Sequence, residues 1–180
     1  MPDTVETESA SGAPPADDTK GDTLVGRTVT INRPRAELFA FWRDFANLSR
    51  FMENVERVDV LDGKRSHWVV KGPTGPVEWD AVITEEQPDT LIAWTSDEGA
   101  DVPNSGRVEF RDAGARGTVV SVTIRYDPPA GFIGKAVAKI FQREPAIQAR
   151  RELRRFKQLM ETGEIATGAR NAREFQERIG

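Results

Sequence analysis

DPPAGFIGKAVAKIFQREPAIQARRELRRFKQLMETG, residues 127–163, decides the fold, because it is the longest helix-period pattern in a chain that otherwise reads as short strands. Asp127-Pro128-Pro129 cannot continue a helix and closes the strand before it. Phe132, Ala136, Val137, Ile140 and Phe141 recur at spacings of three and four, which makes one apolar stripe. Pro145 interrupts the hydrogen-bond ladder. It predicts a break near Arg143 and a second segment with Pro145 in its first turn. Ile147, Ala149, Leu153, Phe156, Leu159 and Met160 form the apolar side of that segment, and Arg150, Arg151, Arg154, Arg155 and Lys157 the other side. Gly163 is the expected stop.

Upstream of this helix, residues 25–33 alternate apolar and polar side chains, the period of a strand with Val25, Val29 and Ile31 facing inward. Pro34 then opens a helix with an aromatic face of Leu38, Phe39, Phe41, Trp42 and Phe45. Asn47 is placed to cap a second short helix carrying Leu48, Phe51 and Met52. Six more strands follow, over 55–61, 67–71, 77–85, 91–96, 106–111 and 118–126, separated by turn residues such as Asp62-Gly63-Lys64. Strands in succession imply antiparallel pairing, and the last helix must cover the inner face of their sheet. The fold class is therefore α+β: a curved antiparallel seven-stranded sheet around a long, kinked C-terminal helix, with two short helices after strand one. Residues 1–23 are poor in large apolar side chains and are expected to be a disordered tail. Residues 24–163 form one domain and 164–180 a polar C-terminal tail.

Composition narrows the chemistry. The chain has 180 residues and a formal net charge of −4, which points away from nucleic acid. It has no cysteine, so disulfides, thiolate zinc and cysteine nucleophiles are excluded, as fits a reducing cytoplasm. A single histidine, His67, leaves nothing from which to build a multi-histidine metal site. No apolar run reaches the roughly 20 residues that span a bilayer. The first residues carry Asp3, Glu6 and Glu8 and no apolar core, unlike a secretory signal. No Gly-rich phosphate loop, serine elbow or metal motif is present, so neither cofactor nor metal is expected.

Three stretches carry a family resemblance: TVTINRPRAELFAFWRDFANLSRFMENVERV, then VEWDAVITEEQPDTLIAWTS with GRVEF, then GTVVSVTIRYDPPAGFIGKAVAKIF with ELRRFKQLMETGEI. In element order and in these residues the chain resembles the START-like, or SRPBCC, helix-grip superfamily. Within it, the chain looks like the polyketide cyclase/dehydrase and coenzyme Q-binding START-like branch. The resemblance implies a deep, mostly apolar cavity between sheet and long helix. Fold alone does not name the function, since this superfamily spans carriers, sensors and cyclases.

The candidate cavity residues are Trp68, Trp79, Ala81, Ile83, Val108, Phe110, Val122, Ile124 and Tyr126 from the strands, with Val137 and Phe141 from the helix. Trp42 and Trp94 complete a set of four indoles suited to a flat or isoprenoid ligand. Phe51, Met52 and the loop at Gly99 are read as the gate, with plain core packing as the alternative for Phe51 and Met52. His67 follows the phase of Trp68: with the indole inward, the imidazole faces out. Glu78, Asp80, Arg107, Glu109, Arg111 and Arg125 read as cross-strand charges on the solvent face, Glu109 with Arg125 for example. Arg150, Arg151, Arg154 and Arg155 form either a solvated face or a contact for anionic lipid headgroups.

The reading that follows is a cytoplasmic binding or transport module for a hydrophobic small molecule, a quinone, isoprenoid or other lipid, with no catalytic residues assigned. The alternative is a polyketide cyclase/dehydrase-type enzyme using Tyr126, His67 or Arg125 in the same cavity. A third reading is an interaction module with a filled core.

Overall fold

The computed structural model describes residues 23–72, 75–100, 102–126 and 145–166. Strand β1 (Thr23–Ile31) leads to helix α1 (Arg35–Arg43) and a short 3-10 helix (Phe45–Arg50). Six strands follow: β2 (Val55–Val60), β3 (Arg65–Lys71), β4 (Pro76–Gln87), β5 (Leu91–Ser96), β6 (Asn104–Asp112) and β7 (Thr118–Tyr126). Helix α2 (Pro145–Thr162) closes the described chain. The tails, the apolar stripe at 132–141 with Val137 and Phe141, and the expected break near Arg143 lie outside the described residues.

The strands form one curved antiparallel half-barrel in the order β1-β7-β6-β5-β4-β3-β2. Strands β2 to β7 are a meander of hairpins, while β1 pairs with the last strand. The segment from β1 to β2 must therefore cross from one sheet edge to the other, carrying α1 and the 3-10 helix with it. Period-2 alternation sends Ile31, Val58, Trp68, Ala81, Ile83, Val108, Phe110, Val120 and Val122 into the core, where they meet Leu153, Phe156 and Leu159 of α2. A bulge between Ile83 and Glu85 breaks that alternation. It leaves Glu85 opposite Ala93 on the outer face, where its carboxylate meets Arg107 at 3.1 Å.

Helix α2 is fixed to β1 by polar contacts at its C-terminal end. Lys157 Nζ donates to the Thr30 carbonyl at 2.6 Å, and Arg33 donates to the carbonyls of Met160 and Glu161 at 2.8 and 3.0 Å. The Asn32 N–H donates to Glu161 at 2.7 Å, a bond that holds the Glu161 carboxyl below its ordinary pKa. Gly163 stops the helix at φ +78°, with its N–H on the Leu159 carbonyl at 2.8 Å.

Two local expectations change. The second short helix is a 3-10 turn capped by Asp44, whose carboxylate accepts from the Ala46 N–H. Asn47 lies inside it and donates to the Phe41 carbonyl at 3.1 Å. A carboxylate at the start of the turn meets an unpaired N–H that Asn47, already within the turn, cannot reach. Glu109 pairs with Arg107 at 3.1 Å, since the register sets Glu109 opposite Ser121 and Arg125 opposite Ser105.

Candidate ligand-binding cavity

Between the sheet and α2 lies a partly open cavity of ≈ 90 Å³. Its apolar wall consists of Trp68, Trp79 and Trp94 on three adjacent strands, with Val55, Val70, Ile124 and Met52. The indole of Trp68 lies nearly parallel to those of Trp79 and Trp94, at 10° and 15° with centroids 6.1 and 6.5 Å away. Register explains the array: Trp68 stands directly opposite Trp79, and all three indoles project from the inner face. The Trp68 N–H is satisfied by the buried Ser66 hydroxyl at 3.0 Å, so the ring is locked in place. Trp94 lies over Gly106, where a Cβ would sit 2.2 Å from the indole. Only glycine leaves space for the ring there.

The rest of the lining is polar: Asn54, Asn104, Tyr126, Gln148 and Glu152. Tyr126 and Asn104 are register partners at one end of the sheet, and Gln148 and Glu152 are one turn apart on α2. Gln148 Nε2 donates to Glu152 Oε1 at 3.1 Å. Burial, the largest influence, pushes the Glu152 carboxyl up to about 7, and the neighbouring Glu53 adds to it. Burial also raises the Tyr126 phenol, so it keeps its proton across the physiological range.

The rim is built by α2 gripping the segment before β2. Arg151 and Arg155 both contact Glu53, at 3.0 and 3.1 Å, and Arg155 Nε donates to the Phe51 carbonyl at 2.9 Å. The four arginines of this helix therefore split by partner: Arg151 and Arg155 reach Glu53 at the rim, and Arg150 and Arg154 are exposed.

Of the residues expected at the cavity, Trp68, Trp79, Ile124, Tyr126 and Met52 line it. Ala81, Ile83, Val108, Phe110 and Val122 are buried in the solid core beside it. They occupy inward positions that pack in one cluster with side chains of α1, the 3-10 helix and α2. Phe51 is absent from the described lining. It is fully buried, with ring centroids 4.9 Å from Phe156 and 5.3 Å from Trp42. Gly99, at φ +88°, belongs to the turn after β5 and is absent from the lining. His67 faces outward, its Nδ1 2.6 Å from Asp80 and its Nε2 3.4 Å from Glu78.

The sequence reading missed Asn54, Val55, Val70, Asn104, Gln148 and Glu152, and did not prefer Trp94. For Glu152 a signal existed. It follows Ala149 by three and precedes Phe156 by four, so it lies on the apolar stripe and not on the arginine face. Among the described residues there is no cluster of acidic or histidine side chains fit to hold a metal, and no helix long and apolar enough to cross a membrane.

Residues 31–154 match the family model described as polyketide cyclase / dehydrase and lipid transport. The chain is 42% identical to DR_A0006 of Deinococcus radiodurans, over 79% of this chain and 99% of that one, with a TM-score of 0.66. The Zhui aromatase/cyclase of Streptomyces sp. R1128 superposes with a TM-score of 0.61 at 16% identity, over 81% and 99% of the two chains. A START superfamily protein of Mycobacterium smegmatis gives 0.59 at 15% identity, over 76% and 98%. These last two likenesses are of fold.

Proposed function

From the premise that the chain belongs to the polyketide cyclase / dehydrase and lipid transport family, we propose that it binds a hydrophobic small molecule by taking one end of it between Trp68, Trp79 and Trp94. The observation that carries this reading is the near-parallel indole wall facing a partly open space. Aromatic faces held by strands are preorganised, so little ordering entropy is lost on binding. Volume limits what enters. An apolar cavity of about 150 Å³ is known to hold benzene, and this one is ≈ 90 Å³. It is smaller than that, so it takes only part of a ligand, the edge of a ring or the branched end of a chain, with the remainder on the rim. The edge of a quinone ring or an isoprenoid terminus meets that limit, and so does the end of another lipid.

Native mass spectrometry of gently purified protein, followed by organic extraction, tests this directly. A near-stoichiometric apolar adduct is expected, and it is lost from Ile124→Phe, which fills the space beside Trp94. An adduct retained in full by that variant overturns the assigned site.

One observation favours the second reading, an enzyme of the cyclase/dehydrase type. A carboxyl with a pKa of about 7 can give or take a proton near neutral pH, beside a phenol that can orient a substrate oxygen by hydrogen bonding. His67 and Arg125 do not join it: His67 is held outside by Asp80, and Arg125 alternates with the inward Tyr126. Turnover of a β-ketone substrate by the protein, lost in Glu152→Gln, is the outcome that selects this reading.

A further inference from the structure

Resting on the cavity reading above, the polar end of the lining carries information about ligand chemistry. Five polar side chains converge there: Asn54, Asn104, Tyr126, Gln148 and Glu152. Among the described residues, the charged groups around Glu152 are few. From the rim, Glu53 faces it. From its own helix, Arg155 lies near, but that guanidinium is engaged by Glu53 at 3.1 Å and by the Phe51 carbonyl at 2.9 Å. Arg151 is engaged by the same Glu53 carboxylate at 3.0 Å. From β7 comes the phenol of Tyr126, and Gln148 is one turn away on α2. None of the five polar lining side chains is a cation. They present amides, a phenol and a carboxyl.

We propose that the Tyr126–Gln148–Glu152 end of the cavity selects uncharged apolar molecules bearing a hydrogen-bond-accepting oxygen, such as a ketone or aldehyde carbonyl, and rejects carboxylates. A ligand carboxylate would lie beside Glu152 with no cation among the described lining residues to compensate, at a desolvation cost that apolar contact does not recover. A carbonyl oxygen needs only a donor, and Glu152 supplies one while it holds its proton. The burial that raises its pKa keeps that proton in place below neutral pH.

The test uses four one-ring probes on the full chain: acetophenone, toluene, benzoate and benzylamine. Binding is read from the indole N–H signals of Trp68, Trp79 and Trp94 in ¹⁵N-labelled protein, at pH 5.5 and 8.5. Acetophenone is expected to bind about fivefold more tightly at pH 5.5 than at 8.5, the worth of one hydrogen bond. Toluene is expected to show no pH dependence, and benzoate to leave the signals unmoved. Glu152→Gln, whose amide still donates, is expected to keep acetophenone binding and lose its pH dependence.

Equal, pH-independent binding of acetophenone and toluene overturns the selection while leaving the cavity reading intact. Tightest binding by benzylamine at pH 8.5 also overturns it, since an ionised Glu152 then acts as a counter-ion. Benzoate binding at either pH does the same. Indole signals that no probe moves overturn the cavity reading itself.

Discussion

The inner face of one sheet has two ends, and they are built to opposite specifications. At the first, Trp42, Phe51, Phe110 and Phe156 interlock with centroid separations of 4.9–6.4 Å, all nearly or fully buried. At the second, Trp68, Trp79 and Trp94 stand side by side and face a cavity. Phe45, at the start of the 3-10 helix, divides the two, with its ring 5.7 Å from Trp68 and 5.9 Å from Trp94. The crossing segment from β1 to β2 explains the difference, because it sets Phe39, Phe41, Trp42 and Phe51 on the first end and reaches the indoles of the second with Phe45. The packed end even leaves the buried Trp42 N–H without a partner, which costs about 1–3 kcal/mol. The hollow end instead raises the pKa of the one carboxyl in its described lining to about 7. Filled space there outweighs a hydrogen bond, and here open space is retained with its polar groups tuned.

The largest effect should come from the packed end. Phe156 is fully buried against Phe41, Trp42 and Phe51. Phe156→Ala leaves a cavity that these rings cannot close, and is expected to cost about 3–5 kcal/mol in urea unfolding. Trp79→Ala removes more atoms, but from a wall that already borders empty space, and should cost well under that amount. A larger loss from Trp79 than from Phe156 would erase the distinction between the ends.

Glu152 sharpens the comparison through pH. Its carboxyl stands near 7 in the folded protein against an ordinary 4.5, so the folded state holds this proton more tightly than the unfolded chain. Its contribution is complete below about pH 4.5, falls as pH rises to about 7, and is flat beyond. Glu152→Gln cannot ionise and escapes that loss. At pH 8 the variant should be more stable than the parent by on the order of 2 kcal/mol, and at pH 4.5 the two should coincide. Equal stability at both pH values would mean that the carboxyl is solvated, and that the hollow end is ordinary surface.

Much of this was legible in the sequence. Thr118–Tyr126 and Leu91–Ser96 are strands over the bounds that alternation and turn residues set. Gly163 closes α2, because glycine takes the positive φ that stops a helix without strain. The inward phase of Trp68 likewise fixed His67 outside. What alternation could not show is where the inner face is filled. Val108 and Ile124 both point inward, yet only Ile124 borders the cavity, because filling depends on where α1 and the 3-10 helix come to rest. Phe51 looked like a gate for the same reason: its neighbours Trp42 and Phe156 are 9 and 105 residues away in sequence. Glu152 was hidden by the arginines around it, which drew attention to the charged side of its helix.

The outer face supplies the smallest and most discriminating effect. There His67 has a carboxylate at each ring nitrogen, Asp80 at 2.6 Å and Glu78 at 3.4 Å. The hydrogen bond to Asp80, ahead of all other causes, raises the imidazole above its ordinary 6.5. A raised histidine contributes fully below pH 6.5 and loses that contribution as pH climbs through its folded value. His67→Gln should therefore cost under about 1 kcal/mol at pH 6 and nothing at pH 9, as expected for an ion pair that water reaches. Both groups weaken the fold as pH rises, but the His67 loss begins only above pH 6.5, where most of the Glu152 loss is complete, and salt separates them further. At 1 M salt, where the screening length is about 3 Å, the His67 difference should shrink while the Glu152 difference persists. A His67 difference unmoved by salt would mean that its carboxylates are as shielded from water as the cavity is, and the contrast between the two faces would fail.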